Sequence, residues 1–516
     1  MGARAMKATT APHSGDNALA EAGRLRIGTR LLVALVIVAV FAWQLSHPLG
    51  GDVSWLMTAS ERMLAGQRLY TDILETNPPM STLLYLPWVW LGLATGMPAE
   101  GIVIAATLAL ALAALWIADR ILVSARLPER ADDWWFIGAL VLMLLPGQDF
   151  AEREHFALLG MVPMLAALAA RQAKVAPPVW ARLAAGLAGG LAMAIKPHFA
   201  LAILVAALWA AATSRSLRPI FCLETITAGL MVVAFWAIVS LAFPAFFTDL
   251  LPLGGMIYAG DRLPWLPLLM GRPTWPFWAI LVATLLLYRG EMARPWLAML
   301  FAGAIGFFLA YLAQGKGFPY HLLPATALMT AAFLLAFAGR NAGGRGLAAT
   351  VPKLVAVALV ALPMMTAPRD TGNAALVDLL RPLGPKLKIT NVTPALGTTS
   401  PLVRQLGATL INSGPFLWMA LGAIRIENSN PPPALLAMAR TVEQRERDRL
   451  RQDLLRQPPD IVLVGADSFD WLGWAKQDAA ISALLDGYDV AGHMGTGSDT
   501  VTILERRGLP PLAQPG

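Results

Sequence analysis

The sequence has 516 residues, of which 57% are apolar and only 14% are charged, and its mean hydropathy is +0.58. A water-soluble core cannot hold so many apolar side chains, so the composition excludes an ordinary soluble protein and favours a membrane protein. Residues 368–516 hold 15 basic and 15 acidic residues, so the whole formal charge of +7 belongs to residues 1–367. That position argues against nucleic acid as a partner, because basic residues beside apolar segments set the orientation of membrane proteins. Cys222 is the one cysteine, which excludes an intrachain disulfide and a cysteine-based metal site.

Apolar runs follow one another along the first two thirds of the chain. Residues 1–30 are polar and basic and are expected to form a cytoplasmic tail. No small-residue cleavage site follows the first run, so an uncleaved first span is expected. The runs predict about eleven transmembrane helices. They lie at 31–45, 101–119, 134–146, 156–170, 183–195, 199–213, 220–243, 275–288, 296–313, 321–338 and 350–366. The run at 80–96 contains Pro87 and predicts interfacial helices in the first outer loop.

The loop charges predict the orientation of these spans. Alternate loops carry most of the lysines and arginines, in groups at 120–130, 171–182, 215–218, 289–294 and 340–353. The side that is richer in basic residues is expected to be cytoplasmic. An odd number of spans then leaves residues 368–516 outside the cell membrane, which we expect to be the inner membrane of a bacterium.

The C-terminal segment has the pattern of a small α/β domain. A polar helix is predicted at 441–457, and it is followed by Pro458, Pro459 and a buried strand at 461–465. Further strands are predicted around Val490 and at 501–504. The predicted organisation is therefore a tail (1–30), a transmembrane domain (31–367) and a soluble extracytoplasmic α/β domain (368–516).

Ionisable residues concentrate at the outer ends of the spans. Acidic groups beside hydrocarbon are costly unless they are paired or near water, so this clustering indicates an aqueous cavity on the outer face. The alternative is that short loops simply need polar residues. Five short segments carry most of these groups: GDVSW at 51–55, ETNPP at 75–79, AEREHF at 151–156, AIKPH at 194–198 and QGKGFPYHLLP at 314–324.

These five segments, in this order, resemble the GT-C membrane glycosyltransferases, in the glycosyltransferase family 39-like branch of protein O-mannosyltransferases, aminoarabinose transferases and rhizobial galacturonosyltransferases. The resemblance covers roughly residues 30–340. It implies a GT-C-like polytopic helical fold and an inverting transfer of a sugar from a polyprenyl-phosphate donor to a hydroxyl of a lipid, glycan or protein. One departure is Val53, where many relatives have a second acid.

The resemblance implies that Asp52 is the general base. A carboxylate at the membrane–water boundary suits removal of the acceptor proton as the new C–O bond forms. The alternative is that Asp52 only caps the helix that begins near Ser54. Glu75 and Glu154 are the other catalytic candidates. With Asp52 they could hold a divalent cation, Mg or Mn, to which His155 could add an imidazole; the structural alternative for Glu154 is an ion pair with Arg153 or Lys196.

Cations are expected at the donor phosphate, because the leaving oxygen gains negative charge as the glycosidic bond breaks. The resemblance supports Lys196 and Lys316 by position, and Arg262 or Arg272 is added from the long outer loop. The alternative for both lysines is contact with lipid headgroups. Glu152, Tyr320 and His321 complete the cavity candidates, although Tyr320 and His321 also fit an interfacial aromatic belt.

Two other functions remain open at this point. A transporter or flippase for polar lipids also needs many spans and outer polar clusters, but transporters usually show paired repeats and ionisable groups near mid-span. An inactive GT-C scaffold is favoured only by the missing second acid at Val53.

Overall fold

A computed structural model describes residues 27–127, 131–260, 262–340, 355–360, 371–466, 469–495, 500–510 and 512. Nearly all of the predicted tail, most of the predicted span at 350–366 and the proposed boundary at 368 lie outside the described residues.

The N-terminal part is a bundle of helices that follows the predicted apolar runs. Its helices are α1 (Ile27–Leu45), α2 (Gly51–Leu64), α3 (Met80–Leu83), α4 (Leu86–Thr95), α5 (Ala99–Ser124), α6 (Ala131–Ala139), α7 (Arg153–Gln172), α8 (Val179–Ile195), α9 (Ala200–Ser214), α10 (Leu223–Ala242), α11 (Leu251–Gly260), α12 (Trp265–Met270), α13 (Trp275–Tyr288), α14 (Pro295–Gln314) and α15 (Leu323–Arg340). Among the described residues, seven helices are long and apolar enough to cross a membrane, and three more apolar helices are shorter. The chain is therefore a multi-pass membrane protein, while the count of about eleven spans stays a prediction.

The spans differ in how much of their surface other helices cover. On α10, large apolar side chains point outward, and Leu241 is 85% exposed. Helix α7 is the opposite case, because 94% of its apolar stretch is buried inside the bundle. It packs against α5, α8, α9 and α14. Arg153 and Glu154, in the first turn of α7, are therefore surrounded by other helices of the bundle.

The segment between α1 and α5 folds over the bundle as short helices. Residues 80–96, predicted to lie at the interface, form α3 and α4, with Pro87 in the first turn of α4 and Gly96 in the left-handed conformation that ends it. This fold brings the start of α2, with Asp52, close to the start of α7.

The C-terminal part is the predicted α/β unit. Its five-stranded sheet has the order β2-β1-β3-β5-β4, in which β1 pairs in parallel with β2 and β3 while β5 is antiparallel to β3 and β4. The strands predicted at 461–465, around Val490 and at 501–504 are present. The strands are β1 (Lys388–Val392), β2 (Thr409–Leu410), β3 (Ile461–Gly465), β4 (Tyr488–Met494) and β5 (Val501–Arg506). The helices are α16 (Thr371–Leu380), α17 (Leu396–Leu406), α18 (Trp418–Glu427), α19 (Pro433–Arg456), α20 (Trp471–Lys476) and α21 (Ala479–Leu485).

The α/β unit packs directly against α2, the helix that carries Asp52. Helix α17 packs along α2, and the Arg404 guanidinium donates to Glu61 on α2 at 3.0 Å and to Glu100 on α5 at 2.7 Å. From the other side, Arg62 on α2 donates to the carbonyls of Leu410 and Asn412. These contacts fix the position of the C-terminal unit over the outer loop.

Candidate functional site

Asp52 lies in the first turn of α2, where its carboxylate is held by an ion pair. Arg153 Nη2 donates to Asp52 Oδ2 at 2.7 Å, and the side chains are 2% and 16% exposed, respectively. The interpretation of Asp52 as only a helix cap is wrong. Gly50 is the N-cap residue, and its carbonyl accepts from the Ser54 N–H at 2.9 Å. The second carboxylate oxygen, Oδ1, has no hydrogen bond with the described residues and keeps its capacity to accept one.

A second ion pair lies beside the first. The chain is extended at Lys196, between α8 and α9, and this conformation directs the ammonium inward to Glu154 Oε1 at 2.5 Å. Lys196 Nζ also lies 3.1 Å from Gln314 Oε1 and 3.3 Å from His321 Nε2. The ion pair weighed as an alternative for Glu154 is therefore present, whereas the alternative that Lys196 reaches lipid headgroups is wrong.

Glu75 is held next to these pairs by three hydrogen bonds. Trp55 Nε1 donates to Oε2 at 2.5 Å, while the backbone N–H and side-chain amide of Asn77 donate to Oε1 at 2.7 and 2.6 Å. Burial raises the pKa of Glu75, and the nearby charge of Arg153 opposes that shift. Donors from α2 and the following loop therefore orient a carboxyl whose proton affinity is increased.

Glu152 is a fully enclosed carboxyl on the same cluster. Its Oε2 has no hydrogen-bond partner among the described residues, and a Cβ atom placed on Gly50 would lie 2.8 Å from its Oε1. Burial, together with the charge of Asp52, holds the pKa of Glu152 well above its usual value. Glycine at position 50 thus leaves the room that lets this acid approach the start of α2.

Lys316 is enclosed by aromatic rings from two parts of the chain. Its Nζ lies 4.4 Å from the ring centre of Tyr258 on α11 and 5.3 Å from that of Trp418 on α18. The two rings are 4.6 Å apart, and Lys316 also donates to the Tyr258 carbonyl at 3.3 Å. Tyr258 is close enough to Asp52, Glu75 and Arg153 for their charges to act on its hydroxyl. The aromatic enclosure of Lys316 therefore borders the acid cluster, and the C-terminal unit contributes part of it.

Tyr320 and His321 follow Lys316 in a turn that leads into α15. His321 is only 5% exposed, and its Nε2 lies 3.6 Å from Glu154 Oε1. The Tyr320 ring centre lies 5.9 Å from Lys196 Nζ. Both side chains face the ion pairs. This orientation agrees with a place in the cavity and not with an interfacial aromatic belt.

The two arginines proposed from the long outer loop are peripheral to this cluster. Arg262 is exposed and donates to the Leu312 carbonyl at 3.4 Å, beside Gly315. Arg272 is exposed, lies in a turn that packs near Pro319–Leu322, and has no ion pair with the described residues. Both lie near the segment that contains Lys316, but neither joins the buried ion pairs.

The described residues do not fit a resident divalent cation. No group of three or more His, Cys, Asp or Glu side chains with metal-binding geometry occurs in the described ranges. Asp52 and Glu154 face cations, and Glu75 is taken by Trp55 and Asn77. Both ring nitrogens of His155 contact the backbone: Nδ1 accepts from the Ala151 N–H at 3.1 Å, and Nε2 lies 2.7 Å from the Leu142 carbonyl. This imidazole stabilises the turn before α7.

Sequence reasoning considered Arg153 only as a possible partner of Glu154, and it missed Tyr258 and Trp418. The position of Arg153 within AEREHF was a usable signal, because an arginine flanked by two glutamates at the start of a buried helix needs partners of its own. Its Nε and Nη1 groups are buried without a hydrogen-bond partner among the described residues. For Trp418 the sequence offered no signal, since only the docking of the α/β unit brings it to Lys316.

Comparisons with known proteins agree with this architecture. Neither the protein-family models nor the curated proteins gave a match to the sequence. Among solved structures, ArnT from Cupriavidus metallidurans bound to undecaprenyl phosphate is similar, with a TM-score of 0.54, 16% identity, and coverage of 94% of this chain and 99% of that one. Its apo state gives a TM-score of 0.49 at 16% identity, with 95% and 99% coverage. AglB from Archaeoglobus fulgidus, in complex with an inhibitory peptide and a dolichol-phosphate, gives 0.41 at 12% identity, with 94% and 76% coverage.

ArnT has the GT-C membrane glycosyltransferase fold, so the resemblance noted in the sequence motifs is confirmed at the level of fold.

Proposed function

We propose that the protein is a glycosyltransferase that takes a sugar from a polyprenyl-phosphate carrier and passes it to a hydroxyl of a lipid, glycan or protein. The observation that carries the proposal is the buried pair of Asp52 and Arg153, with one carboxylate oxygen and two guanidinium N–H groups left for a ligand. The GT-C fold supports it, and so does ArnT, whose structure contains undecaprenyl phosphate. We propose that the site lies on the periplasmic face of a bacterial inner membrane, with the N-terminus in the cytoplasm.

The proposed reaction is a single inverting displacement. The acceptor oxygen attacks the anomeric carbon, the bond from that carbon to the phosphate oxygen breaks, and the polyprenyl phosphate leaves with the electron pair. Asp52 Oδ1 takes the acceptor proton as the new bond forms. Arg153 holds the other oxygen of this carboxylate, which keeps the base aimed at one point.

Fixed cations stabilise the charge on the leaving phosphate. The Nε and Nη1 groups of Arg153, which have no hydrogen-bond partner among the described residues, are the donors it can offer to phosphate oxygens. Lys196 and Lys316 approach the same region from α8–α9 and from the turn before α15, while Arg262 and Arg272 lie at its outer edge. Because the described carboxylates do not form a cation site, no step of this mechanism is routed through a metal.

Glu75 and Glu154 have positioning roles in this proposal. Glu154 holds the Lys196 ammonium at 2.5 Å, so it sets where that positive charge stands. Glu75 accepts from Trp55 on α2 and twice from Asn77, so it holds the loop before α3 in place beside Asp52.

The direct test measures transfer from a defined polyprenyl-phosphate sugar to extracted membrane lipids and glycans by the purified full-length protein. Asp52→Asn should lower the rate by about 10²–10⁴-fold, the usual contribution of a general base. Asp72→Asn is the matched control, because Asp72 lies on the same outer loop but is exposed and forms an ion pair with Arg68.

Equal rates for wild type and Asp52→Asn would show that Asp52 is not the base. No transfer by the wild type with any donor would contradict the enzyme proposal and favour the scaffold interpretation.

A further inference from the structure

Strand β2 is an edge strand of the α/β unit, and its open edge faces α2. On the paired edge, the N–H groups of Thr409 and Ile411 donate to carbonyls of the β1 segment. The carbonyls of Leu410 and Asn412 point the other way, because successive residues of a strand direct their hydrogen-bonding groups to opposite edges. An edge of this kind leaves carbonyls that need donors from another part of the chain.

Arg62 on α2 supplies the donors for this edge. Its Nη1 donates to the Asn412 carbonyl at 2.7 Å, and its Nη2 donates to the Leu410 carbonyl. The planar guanidinium fork can serve both carbonyls at once, which the single ammonium of a lysine cannot do with fixed geometry. The next carbonyl, that of Ser413, accepts from the Leu74 N–H at 2.7 Å. Together these three contacts form the β2 clamp, which holds both α2 and the loop before α3.

The end of β2 is itself held from inside the α/β unit. The Asn412 side-chain oxygen accepts from the Thr390 hydroxyl at 2.8 Å and from the Asn391 N–H at 2.9 Å. The N–H and hydroxyl of Ser413 donate to Asp453 Oδ2 at 2.6 and 2.9 Å. Asn412 and Asp453 are each only 5% exposed. Breaking such buried hydrogen bonds leaves polar groups unpaired, so the clamp rests on a fixed support.

The β2 clamp lies close to the proposed catalytic carboxylates. Asp52, Trp55 and Arg62 follow the i, i+3, i+10 spacing of one side of α2. Arg62 Cζ lies 5.6 Å from the centre of the Trp55 ring, and Trp55 Nε1 donates to Glu75 Oε2 at 2.5 Å. Glu75 also directly follows Leu74, whose N–H is held by the clamp. Two routes from the end of β2 therefore meet at Glu75.

We propose that Arg62 is a positioning residue for the transfer reaction: through the β2 clamp, the α/β unit fixes α2 and the Glu75 loop and so holds the Asp52 carboxylate at the reacting hydroxyl. The role of Asp52 in this statement rests on the proposed function. Small displacements of a reacting group lower the rate, because attack requires atoms about 3–3.5 Å apart. The clamp thus links the α/β unit to catalysis without adding a reacting group.

Arg404 provides an internal comparison, because it joins the same two parts of the chain at another side of α2. It donates to Thr58 at 3.3 Å and to Glu61 at 3.0 Å, and also to Glu100 on α5. Among the described residues, its hydrogen bonds reach neither Trp55 nor the Glu75 loop. If docking of the α/β unit were all that mattered, loss of either arginine would affect the reaction equally.

The first test measures hydrogen–deuterium exchange of the full-length protein in detergent by mass spectrometry. Arg62→Lys keeps the charge but loses the fork, so it should speed exchange in the peptide that covers Leu74 at least about tenfold. Asp453→Ala removes the support of Ser413 and should do the same, while Asp453→Asn keeps an acceptor oxygen and should not. Arg404→Lys is the control and should leave this peptide unchanged. The measurement needs no substrate, so it tests the clamp separately from the proposed function.

The second test measures steady-state transfer from the polyprenyl-phosphate sugar. Arg62→Lys and Asp453→Ala should lower kcat by about 10–100-fold with little change in the KM for the donor, as expected for a displacement of up to about 1 Å. Asp453→Asn should recover most of the rate. Arg404→Lys should lower the melting temperature at least as much as Arg62→Lys does, while kcat stays close to that of the wild type.

Unchanged exchange at Leu74 in Arg62→Lys would show that the clamp does not hold the loop. Faster exchange with unchanged kcat would overturn the positioning role, and so would an equal loss of kcat in Arg404→Lys or an effect confined to the KM. If Arg62→Lys does not fold, the two Asp453 variants decide by the same criteria. Absence of transfer by the wild type would refute the proposed function and with it the positioning role, whereas the exchange data would still decide whether the clamp exists.

Discussion

Asp52 is positioned by a guanidinium that lies 101 residues further along the chain. The charge of the same guanidinium also acts on Glu152 and Glu75. Burial raises the pKa of Glu152, whereas Glu75 accepts hydrogen bonds on both oxygens. The carboxylates thus differ in environment although they share one cluster. Environment of this kind assigns different roles to identical side chains, because burial and nearby charge change how strongly each one holds a proton.

The titration of the buried Glu446 carboxyl is expected to make the free energy of unfolding depend on pH. Burial raises its pKa to about 7, while the nearby charges of Arg449 and Asp453 on the same helix act in opposite directions. A carboxyl with a raised pKa in the folded state favours folding at low pH. That contribution is complete below about pH 4.5 and is lost as the pH rises through 7.

We therefore expect Glu446→Gln to flatten the pH dependence of the melting temperature between pH 5 and 8, by removing a change of roughly 3 kcal/mol at most. Scanning fluorimetry of the purified protein at both pH values measures it. Asp489→Asn is the control, because Asp489 is an exposed acid on β4. The same slope in Glu446→Gln and wild type would contradict the assignment.

Close helix packing in the bundle depends on a few glycines. Gly306 on α14 faces α9 so closely that an added Cβ would lie 2.4 Å from Ala202 Cα, and the neighbour is backbone, which cannot turn aside. Small residues at helix contacts are typical of membrane bundles, because van der Waals packing there replaces the hydrophobic effect. These two helices also carry parts of the site at their ends, since Gln314 ends α14 and Lys196 precedes α9.

Gly306→Ala should lower the thermal stability in detergent by about 1–3 kcal/mol, the usual range for overpacking. The matched control is Gly229→Ala on α10, where nothing lies within 4 Å of the added Cβ. Gly229→Ala should leave the melting temperature unchanged or slightly higher, because alanine is the better helix former. Equal effects of the two substitutions would rule out close packing as the reason for Gly306.

At the scale of the whole molecule, the α/β unit places the Trp418 ring 5.3 Å from the Lys316 ammonium, which we propose binds the donor phosphate. Trp418→Ala should raise the KM for the polyprenyl-phosphate sugar by about 2–30-fold with little change in kcat, since a cation–π contact contributes about 0.5–2 kcal/mol. Trp418→Phe keeps an aromatic ring and should recover most of the affinity. Steady-state kinetics at varied donor concentration separate the two parameters. A loss of kcat alone, or no rescue by phenylalanine, would show that the ring does not act through the Lys316 ammonium.

The predicted orientation is also a property of the whole chain. Asp72→Cys on the outer loop and Asp489→Cys on the α/β unit should react with a membrane-impermeant maleimide in intact spheroplasts. Arg126→Cys, at the opposite end of α5, should react only after permeabilisation. Cys222 gives little background because it is 7% exposed. Labelling of Arg126→Cys from outside would invert the predicted topology.

The sequence alone determined the elements and the motifs. Apolar runs indicated the spans that the structure describes. Pro458 and Pro459, before the apolar run at 461–465, indicated the central strand of the α/β unit. The five motifs indicated the GT-C resemblance and selected Asp52, Glu75, Glu154 and the two lysines. These features are visible in sequence because they depend on local composition and on short-range spacing.

Only the tertiary structure decided which side chains meet. It placed Arg153 on Asp52, Glu154 on Lys196, and both ring nitrogens of His155 on backbone groups. It also brought Trp418 to Lys316 across the seam between the two parts of the chain. Ion pairing, burial and ring contact depend on distances between residues far apart in the chain, and those distances are set by packing of the whole molecule and not by local sequence.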